Sequence, residues 1–199
     1  MELLVTLGRT FGFSLAAGVN LYATVAILGL ASRYDWVTLP EQYAIFDNSW
    51  VIYTALALFV VEFVADKVPW LDTIWDGIHT AIRPLGGALV AVSTLGDASP
   101  GVQGIVALIG GGLAASSHAT KATARVAANT SPEPFSNWAL SLGEDAFVLG
   151  LALLALQYPL LALGVVALSL LVTLVVATLL FRAIRRRLFG PHPPAPAIG

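Results

Sequence analysis

The chain has 199 residues, of which 57% are hydrophobic and 11% charged, with a formal net charge of −2 and no cysteine. Soluble domains carry roughly 25% charged residues, so a water-soluble fold of this composition would expose large apolar areas, and a polytopic membrane protein is indicated instead. No clustered basic and aromatic surface suggests nucleic acid, and the lack of cysteine excludes disulfides, thiolate metal sites and thiol nucleophiles.

The start, Met1-Glu2-Leu3-Leu4, has no basic region ahead of its apolar run, so no cleaved signal peptide is expected. The first apolar segment predicts a short amphipathic lead-in and a spanning helix over 12–31, with Asn20 and Thr24 on one face. A polar connection over 32–47, rich in the Trp and Tyr that favour the membrane boundary, leads to a second span over 50–64. That span contains Glu62 and is closed by Asp66-Lys67-Val68-Pro69. Over 71–95, Asp72, Asp76, His79 and Arg83 recur at helical spacing and form one narrow stripe. Pro84 and Gly86-Gly87 follow, which predicts a discontinuous third helix.

A fourth span is expected over 100–120, with Gly110-Gly111-Gly112 and Ala114-Ala115-Ser116 as a close-packing surface. The fifth is expected over 138–158 and the sixth over 160–181, before Arg182, Arg185-Arg186-Arg187 and a Pro-rich tail at 190–199 that reads as disordered. The expectation is therefore an all-α integral membrane protein of about six transmembrane helices, in a single domain over 1–189. Six spans put both termini on one side, and the positive-inside rule makes the arginine-rich end cytoplasmic, in the cell inner membrane. Lys67, Lys121 and Arg125 would then face the cytoplasm too.

The two halves echo each other. Leu21-Tyr22-Ala23-Thr24 matches Ser117-His118-Ala119-Thr120, Pro40-Glu41 matches Pro132-Glu133, and Asn48-Ser49-Trp50 matches Ser136-Asn137-Trp138. Half-repeats over 12–96 and 100–188 would each hold three spans and so be inverted, an arrangement of secondary transporters.

Two constellations hold chemistry. Glu62 and Asp66, one helical turn apart, precede the stripe of Asp72, Asp76, His79 and Arg83. An intramembrane ionisable residue points to function by default, although an interfacial amphipathic helix would give the same stripe. The second is the polar stretch between spans four and five, where His118, Lys121 and Arg125 share a face and Glu144-Asp145 lies inside the fifth span. Glu62, Asp66, His118, Glu144 and Asp145 are the candidate ion- or substrate-binding residues. Asp72, Asp76, His79, Arg83, Lys121 and Asn20 are candidates for a gate or supporting shell. An internal salt bridge that only locks the bundle is the alternative. Ser116 and Ser117 beside His118 make a poor hydrolase pair, because neighbouring helical residues point about 100° apart. Asn129-Thr130-Ser131 fits a glycosylation sequon, which a cytoplasmic position would leave unused.

Glu62-Phe63-Val64-Ala65-Asp66-Lys67-Val68-Pro69, Asp72, Trp75-Asp76, His79-Thr80, Ser117-His118-Ala119-Thr120-Lys121, Asn129-Thr130-Ser131-Pro132-Glu133-Pro134 and Glu144-Asp145 resemble the domain of unknown function 4126 family of polytopic membrane proteins. The resemblance covers about residues 12–154 and implies no established activity. A looser similarity links the chain to small cation exchangers built of paired three-helix repeats with a Glu-x-Gly-Asp-Lys motif. Here the interval from Glu62 to Asp66-Lys67 is one residue longer and lacks the glycine, and Glu144-Asp145 has no following lysine. The leading expectation is a small carrier coupled to protons or cations. A structural or lipid-interacting membrane protein comes second and a lipid-acting enzyme third. Membrane lipids and a small cation or proton are the expected partners, with homo-oligomerisation left open and no cofactor indicated.

Overall fold

A computed structural model describes residues 1–129 and 135–189. Seven α-helices follow in order: α1 (Glu2–Val19), α2 (Leu21–Arg33), α3 (Ser49–Ala65), α4 (Pro69–Leu95), α5 (Pro100–Asn129), α6 (Phe135–Gln157) and α7 (Pro159–Phe189), with a 3-10 turn at Glu41–Phe46. No strand occurs among the described residues. Four helices, α4 to α7, are long and apolar enough to cross a membrane. The shorter α2 and α3 have 13 and 17 residues. The chain is thus an all-helical protein with the helices of a membrane protein.

The bundle is built around α1. Its residues from Gly12 to Val19 are all buried, and it packs against α4, α5, α6 and α7. Gly12, Ser14, Ala16, Ala17 and Gly18 are small, so backbones approach closely, as helices do where no hydrophobic force separates protein from lipid. Gly18 is the tightest point. A Cβ added to it would fall onto the Ser117 hydroxyl and the Ala114 backbone of α5. Gly87 of α4 and Gly110 of α5 admit no Cβ either, because each faces an alanine methyl of the opposite helix. Gly18→Val is expected to destabilise the fold by at least about 1–3 kcal/mol, the range for overpacking. Thermal unfolding in detergent reads this, with Gly112→Val as the control, since a Cβ at Gly112 meets nothing within 4 Å.

Polarity is arranged inside out. The outward face of α4 carries Trp70, Ile74, Ile78, Ile82, Leu85 and Leu89, all exposed, while Asp72, Asp76, His79 and Arg83 are buried. A soluble amphipathic helix would place them the other way. The same reversal rules out α4 as a surface-lying interfacial helix with its charges in water.

Two helix assignments are corrected. The third helix is unbroken through Pro84. Proline removes one backbone donor, but α5 packs along that stretch, with a Gly111 Cβ position 3.1 Å from the Pro84 carbonyl and Gly87 seated beyond it. The break lies instead in the first segment, at Asn20, whose backbone is extended at φ −146° and ψ 101°. Asn20 ends α1 and caps α2, its Oδ1 accepting from the Ala23 amide at 2.9 Å. In addition, α5 runs past residue 120 to Asn129, so His118, Lys121 and Arg125 stand on one continuous helix. The expected turn at 131–134, the Pro132-Glu133 match, the sequon and the 190–199 tail fall wholly or partly outside the described residues.

Candidate functional site

Where α3 ends and α4, α5 and α6 meet it, nearly all the buried charge of the described residues converges. Three cations organise it. Arg83 of α4 donates to Glu62 Oε1 at 2.6 Å and to His118 Nδ1 at 2.7 Å, with Asp76 Oδ1 at 3.4 Å. Lys121 of α5 reaches Glu62 Oε1 at 3.3 Å, Asp66 Oδ2 at 3.1 Å and Glu144 Oε2 at 3.4 Å. Arg125, one turn on, grips both oxygens of Glu144, at 3.0 and 2.6 Å, and also Asp66 Oδ2 at 2.9 Å. It donates to the Asp66 and Asn137 carbonyls and has Asp72 Oδ1 at 3.9 Å. A planar guanidinium suits this forked grip, whereas an ammonium does not.

The local sequence explains why these groups meet. Glu62 and Asp66 lie on one face of α3 and its C-terminal residue, and Pro69 then starts α4 with Asp72 and Asp76 turning inward. The helical spacing of His118, Lys121 and Arg125 aims all three at that junction. Glu144 arrives from α6. Burial is nearly complete: side-chain exposure is 0% at Glu62, Arg83 and Asp72, and 2% or less at Asp66, Lys121 and Arg125. Glu144 is the most exposed member, at 13%.

The network is acidic. Glu62, Asp66, Asp72, Asp76 and Glu144 are five carboxylates against the three cations Arg83, Lys121 and Arg125. The flanking pair Asp145 and Lys67 leaves the difference of two unchanged. Glu62 Oε1 takes both Arg83 and Lys121, while Glu62 Oε2 is buried with no hydrogen-bond partner among the described residues.

Histidine roles follow from the donors. Arginine has no acceptor, so His118 Nδ1 accepts from Arg83 and the ring proton sits on Nε2, which donates to Thr80 Oγ1 at 3.2 Å. Thr80 passes its own proton to the Asp76 carbonyl at 3.0 Å. His79 Nδ1 faces the Trp75 carbonyl at 2.7 Å and its Nε2 takes the Tyr22 hydroxyl at 2.9 Å. His79 is thus an ordered packing element, stacked on Trp75. Ser117 Oγ donates to the Leu15 carbonyl at 2.9 Å, so no serine–histidine pair forms.

Of the sequence candidates, Glu62, Asp66, Asp72, Asp76, Arg83, Lys121, Glu144 and, through Arg83, His118 share this cluster. Asn20 and Asp145 form a side branch, with Asn20 Nδ2 donating to Asp145 Oδ1 at 3.3 Å. Sequence reasoning placed Arg125 on the right face but did not rank it as a site residue, although it reaches three carboxylates, as many as Lys121, and holds Glu144 through both oxygens. It missed Asn137, Thr80 and Tyr22, whose roles depend on pairings between helices. Lys121 and Arg125 belong to the buried network and not to a loop, which removes them from any count of loop charge. Lys67, between α3 and α4, donates to Ser141 Oγ at 3.3 Å and lies over the Phe63 ring. Burial pulls it below the ordinary lysine value, against the opposing pull of Asp145 and Asp66.

Three cavities adjoin the cluster. A cleft of about 510 Å³ opens between α1, α5, α6 and α7 with Lys121 and Glu144 on its wall. A second of about 300 Å³ lies against Asp145, between α2, α3 and α6. A third of about 200 Å³ touches Asp72, Asp76 and Arg125. No group of three or more His, Asp or Glu with metal-holding geometry occurs among the described residues.

The family model for the domain of unknown function DUF4126 matches residues 7–179, and the chain belongs to that family. No curated protein matches the chain, and no solved structure does.

Proposed function

We propose that this DUF4126 protein is a small carrier of the plasma membrane, coupled to protons or a small cation, with the Glu62–Lys121–Glu144 cluster as its coupling site. The observation that carries this is the acid excess. Each buried ion costs several kcal/mol in desolvation even after relaxation, so a formal excess of two acids among the described side chains calls for protons or a bound cation. Intramembrane carboxylates of that kind are how carriers take up their coupling ion.

The chain would cross the membrane six times, with α1 and α2 together as one broken crossing and α3 as a short one. The basic end of α7 would be cytoplasmic. An inverted repeat is supported by the packing of α1 on α5. The register that aligns Leu21 with Ser117 also aligns Ser14 with Gly110 and Gly18 with Ala114. Those are two of the pairs that touch: a Gly110 Cβ would lie 3.0 Å from Ser14 Oγ, and a Gly18 Cβ would meet the Ala114 backbone. Equivalent residues meet one another in this way at a two-fold axis. The helix break at Asn20 lies beside that crossing, where transporters place their sites.

A site of this kind makes stability depend on its ion. A ligand at 100 times its Kd stabilises by about 2.7 kcal/mol. Melting of the detergent-solubilised protein, scanned over lithium, sodium, potassium, magnesium and pH, is expected to rise selectively with one ion or with protons. A melting temperature indifferent to all of them would remove the coupling site. The rival role, a bundle lock that transports nothing, is favoured by one observation: every cation in the cluster already holds at least two partners.

A further inference from the structure

The cleft between α5, α6 and α7 is shaped for something larger than a coupling ion. Its volume of about 510 Å³ falls within the roughly 300–1,000 Å³ of small-molecule pockets. Its outer wall is Phe147, Leu168 and Val172, exposed by 40, 60 and 52%. That wall continues into the apolar outer face of α7 at Leu171, Leu174 and Val175, which are also exposed. The cleft therefore opens sideways, towards the hydrocarbon that an apolar ligand would come from. Its most buried polar lining is Lys121, with the half-buried Ser117 and Glu144 beside it.

Which charge would fit that polar lining follows from exposure and from the sign of the cluster. Lys121 has 2% of its side chain exposed and points its Nζ at Glu62, Asp66 and Glu144. Glu144 has 13% exposed. A ligand moving inward meets the carboxylate before the ammonium, and behind that carboxylate stands a cluster with acid in excess. An anionic head would be repelled there. A cation would replace part of the missing positive charge.

We propose that this cleft binds lipophilic cations, apolar compounds carrying one positive charge, entering from the bilayer and seating that charge towards Glu144. This deepens the carrier reading by naming a ligand class and rests on the same acid excess. Occupancy itself can be read without any transport.

Tetraphenylphosphonium and tetraphenylborate are matched probes of one shape and opposite charge. Equilibrium dialysis against the purified full-length protein in a neutral detergent is expected to show saturable binding of the phosphonium and at least about tenfold weaker binding of the borate, about 1.4 kcal/mol. Glu144→Gln is expected to weaken the phosphonium about tenfold. Because that change also disturbs the cluster, Gly143→Leu is the second variant. A Cβ there meets nothing within 4 Å and Gly143 lines the cleft, so the leucine would occupy ligand space and should abolish binding. Gly150→Leu, equally open but off the cleft, should bind as wild type. Equal binding of the two probes, no phosphonium binding, or unchanged affinity in Gly143→Leu would each overturn the proposal. Ion-driven flux without phosphonium binding would remove this site and leave the carrier. Phosphonium binding without flux would support the site and remove the carrier.

Discussion

Arg125→Ala is expected to unfold the protein more readily than any surface charge change, by about 3–5 kcal/mol, the typical cost of stripping one partner from a buried ion pair. Arg125 bridges Asp66, Glu144 and the Asn137 carbonyl, so it ties the end of α3 to α5 and α6. Alanine would leave Asp66 and Glu144 with Lys121 alone, at 3.1 and 3.4 Å, in a cluster already short of positive charge. For a chain of this size, 1 kcal/mol moves the melting temperature by roughly 2–4 °C, so a fall on the order of 10 °C should be seen in detergent. Arg125→Lys keeps the charge and loses the fork, and should fall between. Arg182→Ala, at an exposed position of α7, should melt like wild type. An unchanged melting temperature in Arg125→Ala would mean that the cluster does not hold these helices together.

Glu62→Gln is expected to behave in the opposite way, with the fold kept and function lost. The amide retains an oxygen for Arg83 and Lys121. Neither cation is stranded, because Arg83 still has Asp76 and Lys121 still has Asp66 and Glu144. Removing one negative charge from an acidic cluster also relieves repulsion. The remaining penalty is that of one amide placed where Glu62 Oε2 had no partner, about 1–3 kcal/mol at most. What disappears is the site's capacity to exchange its counter-charge, so the selective response of melting to an ion or to pH should vanish. If the cluster were only a lock, wild-type melting would show no selective response to an ion or to pH, and Glu62→Gln would have none to lose.

The contrast between these two substitutions reflects what was and was not legible in the residues. The stripe of Asp72, Asp76, His79 and Arg83 is readable because helical spacing places them on one face. Whether that face meets water or the protein interior is not encoded in spacing, since an interfacial helix and a buried one share the pattern. Only the packing of α4 on α1 and α5 decides it. Pro84 looks like the obvious break, yet neighbouring helices hold α4 through it. Asn20, a weaker signal, breaks the chain because its side chain can cap α2. Arg125 illustrates the other limit. Its helical face is evident from His118 and Lys121, but its rank as hub depends on Glu144 and Asp66 arriving from α6 and α3, which no local pattern states. His79 marks the converse case, a residue in the right stripe that serves packing with Trp75 and Tyr22.

Cysteine-free sequence and small size make reconstitution practical, and the coupling claim is tested most directly by flux. Purified protein would be placed in phosphatidylethanolamine–phosphatidylglycerol liposomes loaded with a pH-sensitive dye, and sodium or potassium gradients imposed in turn. Wild-type liposomes are expected to move protons in response to at least one gradient, above the protein-free rate. Liposomes holding folded Glu62→Gln, at equal protein content, should stay at the protein-free rate. Equal proton movement in both, with both folded, would contradict Glu62 as a coupling group. Proton movement in neither would contradict the carrier.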